Sequence, residues 1–148
     1  MTTFQRGLIE KKIQEMEEGA FQELMLRFLP LYDSNYIGIH RHGGTEFGKT
    51  CIGVPDLLKT FNDGRQVACE CGTQKDYWKK PLDSKNMSNW KPIEDAEKCL
   101  SELENPIEII LASSRPFPKK DPNVKNIIIN YFSKKNMQDN YIILHSNS

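Results

Sequence analysis

Asp56 and Glu70 are the residues of this chain whose types and spacing best suit chemistry. They lie in CIGVPDLLKTFNDGRQVACECGTQK, residues 51–75, with Asp56 directly after Pro55 and Glu70 fourteen positions on. If the segment folds as a hairpin, the two carboxylates fall on adjacent strands and converge on one point. A hard divalent cation could sit there with water and a phosphate oxygen, the arrangement of metal-assisted phosphodiester chemistry. The competing reading leaves Asp56 in an ordinary turn and pairs Glu70 with a Lys or Arg.

The hairpin follows from residue types. Residues 51–60 are mostly apolar or β-branched, and Asn62-Asp63-Gly64 offers the φ > 0 positions that hairpin turns need. Along residues 65–74, Val67, Cys69, Cys71 and Thr73 alternate with Ala68, Glu70, Gly72 and Gln74. Neither set is plainly polar, which predicts a central strand covered on both sides. A carboxylate buried there is costly unless its charge is compensated, and a metal ion is one such partner.

Pro55-Asp56, a hairpin and then Glu70 resemble the core of the PD-(D/E)XK nuclease superfamily, whose pattern is Pro-Asp, a variable gap and Asp/Glu-x-Lys. GAFQELMLRFLP, residues 19–30, is similar to the first helix of its Mrr-like defence nucleases, where an acid four positions after a glycine points into the site; Glu23 matches. GKTCIGVPD followed by ECGTQK resembles the nuclease domains at the N-termini of bacterial anti-phage STAND ATPases. The specific motifs cover residues 19–30 and 44–75.

The resemblance implies a restriction-endonuclease-like α/β fold and a magnesium-dependent deoxyribonuclease (Mn²⁺ as the substitute ion) acting on double-stranded DNA. Asp56 and Glu70 would hold the ion, and Glu23 a water or second ion. It also implies an anti-phage effector, active as a homo-oligomer assembled through a fused ATPase module. Met1–Arg6 followed by a charged amphipathic stretch, and no run of about 20 apolar residues, predict a cytoplasmic protein. Where the family has its lysine, this chain has Gly72, followed by Gln74 and Lys75. The lysine's work therefore falls to Gln74 and Lys75, with Lys49 as competing donor, or the domain is a catalytically inactive module for DNA binding or protein interaction.

Composition bounds the rest. A chain of 148 residues with 38% hydrophobic and 27% charged residues suits one domain with one core. Its net charge of zero announces no nucleic-acid binder, so DNA contact requires a local basic surface. Arg41 and Lys49, with Lys79 and Lys80 beyond the central strand, are the candidates for it. Cys51, Cys69, Cys71 and Cys99 lack zinc-site spacing and read as buried thiols. The loop RHGGTEFGKT lacks the Walker A spacing of glycines, and no helix follows it.

The positioning elements can be read coarsely. Apolar steps of three and four predict a helix over 4–29, bent at Gly19 and stopped at Leu29-Pro30. YIGIH, residues 36–40, reads as a strand, and helices are expected over 92–104 and 122–135. Residues 107–112 and 141–144 read as strands. The order α-β-β-β-α-β-α-β predicts a mixed sheet between helices.

Overall fold

The strand that carries Glu70 lies at the centre of the sheet, as its two apolar faces require. The computed structural model describes residues 1–42, 55–79, 89–118 and 121–146. Two helices, α1 (Thr3–Gln14) and α2 (Glu18–Tyr32), precede a 3₁₀ turn at Ser34–Tyr36 and a short strand β1 (His40–Arg41). Then come β2 (Leu57–Thr60), β3 (Gln66–Gly72), α3 (Lys91–Glu102), β4 (Pro106–Ser113), α4 (Pro122–Lys134) and β5 (Tyr141–Leu144). The strands form one sheet in the order β1-β2-β3-β4-β5. The first two pairings are antiparallel; β3–β4 and β4–β5 are parallel. A mixed α/β sheet with helices against it is the expected class.

Alternation along β3 divides the core in two. Val67, Cys69 and Cys71 pack with Leu57, Ile110 and Ala112 under Phe21, Met25 and Leu29 of α2. Ala68 faces the opposite way and joins Ile109 and Leu111 beneath α3 and α4. Both of those helices are crossovers between parallel strands, and crossovers of one hand in one direction place helices on one side. The β2–β3 hairpin turns at Asn62-Asp63-Gly64, where Gly64 takes φ +90° and so supplies the conformation other residues resist.

Three boundaries differ from the sequence reading. The long N-terminal helix is two helices, broken between Gln14 and Glu18, and α2 runs past Pro30 to Tyr32. Pro30 sits in the last turn, where the Asp33 amide still closes on the Leu29 carbonyl at 3.0 Å. The strand expected over 36–40 is a 3₁₀ turn followed by two paired residues, His40 and Arg41. The first half of the segment 51–60 lies outside the described residues; its strand is described from Leu57. Among the described residues, no helix is long and apolar enough to cross a membrane.

Candidate active site

Asp56 stands where β2 leaves β3. The ladder between them ends at Leu57 opposite Cys69. The next outward donor on β3, the Cys71 amide, is taken instead by Asp56 Oδ2 at 2.8 Å. Gln22 Nε2 of α2 donates to the other oxygen, Oδ1, at 3.2 Å. Glu70 lies on the same side of β3 as Ala68, toward α3, and its carboxyl is hydrogen-bonded to that of Asp56. Each of the two residues is 7% exposed. The two acids picked from the sequence are thus in contact.

Among the described residues no cation forms an ion pair with either carboxyl, although the Lys91 charge acts on Glu70 from a distance, and burial dominates their titration. Desolvation lifts Asp56 to about 6 against the pull of the Cys71 amide, and lifts Glu70 to about 9, with Asp56's charge adding to the rise. At neutral pH the pair shares one proton. An acid raised in the fold holds a proton that the unfolded chain has released, so stability present at low pH is lost as pH rises. For Glu70 the window runs from 4.5, the ordinary value, to about 9. Urea unfolding in EDTA should show wild type losing stability relative to Glu70→Gln across that window, by up to about 1.4 kcal/mol per pH unit. A parallel course of the two proteins would mean that Glu70 is ionised in the fold.

Behind Glu70 lies a column of polar residues on α3. The Cys99 thiol donates to Glu70 Oε1 at 3.5 Å. Asp95, one turn earlier, is 3% exposed and accepts from Tyr77 Oη at 3.0 Å and from Lys91 Nζ at 2.6 Å. Burial raises the Asp95 carboxyl, and the hydrogen bond and charge of Lys91 oppose that rise. The Tyr77 ring abuts Gly72: a β-carbon at position 72 would overlap its Cδ2 and Cε2.

Comparison of the chain with protein-family models, curated proteins and solved structures found no match.

The site therefore rests on its own geometry. Among the described residues no three His, Cys, Asp or Glu side chains group as a metal cage. The Asp56–Glu70 pair fits a different demand, two carboxylates for an ion that keeps water and substrate oxygens as its other ligands. Their fit is supported by contact without a counter-charge, which one divalent ion would supply in place of the shared proton.

Other expected residues fall elsewhere. Glu23 is turned from the pair: its carboxylate holds Arg41 at 2.9 Å and Arg27 at 3.0 Å, and the α2 residue that reaches Asp56 is its neighbour Gln22. Arg41, with its side chain 8% exposed, also donates to the Gly19 carbonyl at 3.3 Å and so ties β1 to α2 instead of facing a phosphate. Glu23→Gln should therefore lower stability by about 1–2 kcal/mol, the cost of weakening a half-buried ion pair. Urea unfolding checks this; a variant as stable as wild type would mean that the Glu23–Arg41 pair contributes nothing to the fold. Gln74 and Lys75 are exposed in the turn after β3. Lys75 and Lys79 line a cleft of about 420 Å³ with Trp78 and Arg115. Lys49 and Lys80 lie outside the described residues.

The sequence reading missed Gln22, Tyr77, Lys91, Asp95 and Cys99. The first and the last two carried a signal: Gln22 sits within the apolar stripe Phe21, Met25, Leu29, and Asp95 and Cys99 flank Ala96 on the buried face of α3. A polar residue in a core stripe marks a partner waiting across the interface.

Proposed function

We propose that this domain is a restriction-endonuclease-like, divalent-cation-dependent nuclease that hydrolyses double-stranded DNA at Asp56 and Glu70. The observation that carries the reading is the buried pair of touching carboxyls at the point where β2 separates from β3. A Mg²⁺ ion held there would neutralise the scissile phosphate and favour attack by water in line with the leaving oxygen. The chain's own groups prepare this place. The Cys71 amide and Gln22 fix both oxygens of Asp56, so its direction is set before substrate arrives. Both acids must be ionised to hold the ion, so affinity rises with pH through the range in which the pair gives up its proton. Arg115, Lys75 and Lys79 form a basic rim near the C-terminal ends of β3 and β4, suited to the DNA backbone. The cellular role we assign is that of an anti-phage effector switched on by self-association.

The test is cleavage of supercoiled plasmid in Mg²⁺, in Mn²⁺ and in EDTA, with the domain as isolated and fused to an oligomerising partner. Metal-dependent nicking or linearisation is expected. A second reading, an inactive module that keeps the fold, draws support from the Tyr77 ring in the place of the family lysine. DNA bound but left intact in every form would favour it.

A further inference from the structure

The family lysine has no room at position 72, yet a chain of contacts links that position to an ammonium group. Three contacts lead to it. Tyr77 covers Gly72, two residues beyond Glu70 on the same side of β3. Tyr77 Oη donates to Asp95 Oδ2 at 3.0 Å, and Lys91 Nζ donates to Asp95 Oδ1 at 2.6 Å. The helix direction agrees. As a crossover between parallel strands, α3 runs back against β3, so its N-terminal turns lie toward the Gly72 end. Cys99 meets Glu70, and Asp95 stands one turn, about 6 Å, nearer that end. Two strand residues span about 6.6 Å, so Asp95 is level with Gly72. About a third of the Lys91 side chain (34%) is exposed, whereas the side chain of its partner Asp95 is 4% exposed.

We infer that Lys91 is the catalytic lysine of this site, brought from α3 instead of β3, with Asp95 and Tyr77 as the residues that position it. The inference rests on the nuclease reading. In the step, a water oxygen bonds to phosphorus and one P–O ester bond breaks. The attacking water releases a proton to solvent, and the departing oxygen takes one from solvent. The Lys91 ammonium offsets the negative charge that grows on the phosphoryl and attacking oxygens, which no group on Gly72 can do. Lys75 and Lys79 belong to the other cleft and contact DNA without sharing this task.

The experiment measures plasmid cleavage in Mn²⁺, DNA binding in Ca²⁺ and Mn²⁺ binding by calorimetry. Lys91→Met should cut cleavage by about 10²–10³-fold, the loss of one transition-state donor, and leave DNA binding unchanged. It should also tighten Mn²⁺ several-fold, because a repelling cation has gone and the charge of Asp95 is left. A structural ion pair would instead give weaker Mn²⁺ binding and a lower melting point with the lost cleavage, and that pattern overturns the inference. Because Lys91→Met strands a buried carboxylate, Lys91→Met/Asp95→Asn is measured beside it. The double variant should bind Mn²⁺ as wild type does and still fail to cleave. Lys91→Arg should keep part of the rate, whereas Lys75→Ala and Lys79→Ala should weaken DNA binding in Ca²⁺, the loss that Lys91→Met does not show. An active wild type whose two Lys91→Met variants cleave equally well overturns the inference and leaves the nuclease reading standing. A wild type that neither binds Mn²⁺ nor cleaves overturns both.

Discussion

Replacing Glu70 with Gln is expected to abolish cleavage and, without a divalent ion, to make the protein more stable at neutral pH. The two effects have one cause. Glu70 is buried against Asp56 and Cys99, where a charge is poorly solvated, and it therefore keeps its proton well above the usual carboxyl range. The unfolded chain releases that proton at neutral pH, and Glu70 must recover it to fold. Gln has no proton to recover, keeps an oxygen for the Cys99 thiol and offers Asp56 an N–H. The gain should be up to about 3 kcal/mol near pH 7, from the roughly 2.5 pH units above the ordinary value of 4.5 at about 1.4 kcal/mol per unit. On the proposed reading, cleavage should fall by roughly a thousandfold or more, since one of the two charges that would hold the ion is lost. Asp56→Asn should lose cleavage equally but gain less stability, because Oδ2 accepts the Cys71 amide with the strength of a charged group. Thermal unfolding in EDTA and plasmid assays in Mg²⁺ check both halves. An unfolded Glu70→Gln protein would mean that the carboxylate is a structural ion-pair partner.

Much of the sheet could be read from the chain because its signals are local. The alternation of residues 65–74 describes β3 and its two covered faces, and Asn62-Asp63-Gly64 gives the turn. The strand Tyr141–Leu144 and the helices beginning near Pro92 and Pro122 also announce themselves by apolar spacing and by proline in the first turn. The break at Glu15–Glu17 was hidden because Ile13, Met16 and Ala20 keep helical steps across it, and periodicity is blind to a change of axis. The direction of Glu23 was hidden for a related reason. Adjacent helix positions differ by about 100°, and only packing against β1 decides that Gln22 turns inward while Glu23 meets Arg41. The pair Asp56–Glu70 was legible as two acids on a hairpin. The α3 column behind it was not, because a crossover of unpredicted register brings Cys99 to Glu70 and sets Asp95 and Lys91 on the turns before it.

Gly72 is expected to tolerate no side chain, and this sets apart the present site from one that has merely lost its lysine. Tyr77 is fully buried, its ring meets that of Trp78 edge-on with centroids 4.7 Å apart, and its hydroxyl is held by Asp95. A ring fixed at both ends cannot swing away from a new β-carbon, so either it or β3 must shift. Gly72→Ala should cost about 3 kcal/mol or more, the upper range for overpacking a core, and Gly72→Lys should cost at least as much. Placing a lysine at position 72, as the PD-(D/E)XK pattern has it, would thus unfold the domain and not supply the proposed activity. The cause can be isolated by a double-mutant cycle. Tyr77→Ala opens a cavity and is itself destabilising, yet Gly72→Ala made in that background should cost little, giving a coupling of about 2 kcal/mol or more. Additive losses measured by urea unfolding would show that position 72 is limited by its backbone and not by the ring. The functional arm uses the same opening. With Tyr77→Ala in place, Gly72→Lys should recover part of the cleavage lost in Lys91→Met, because an ammonium from β3 would reach the phosphate from the adjoining position. A folded triple variant without any recovery would mean that the role of Lys91 depends on the place Asp95 gives it, and not on charge near Gly72 alone.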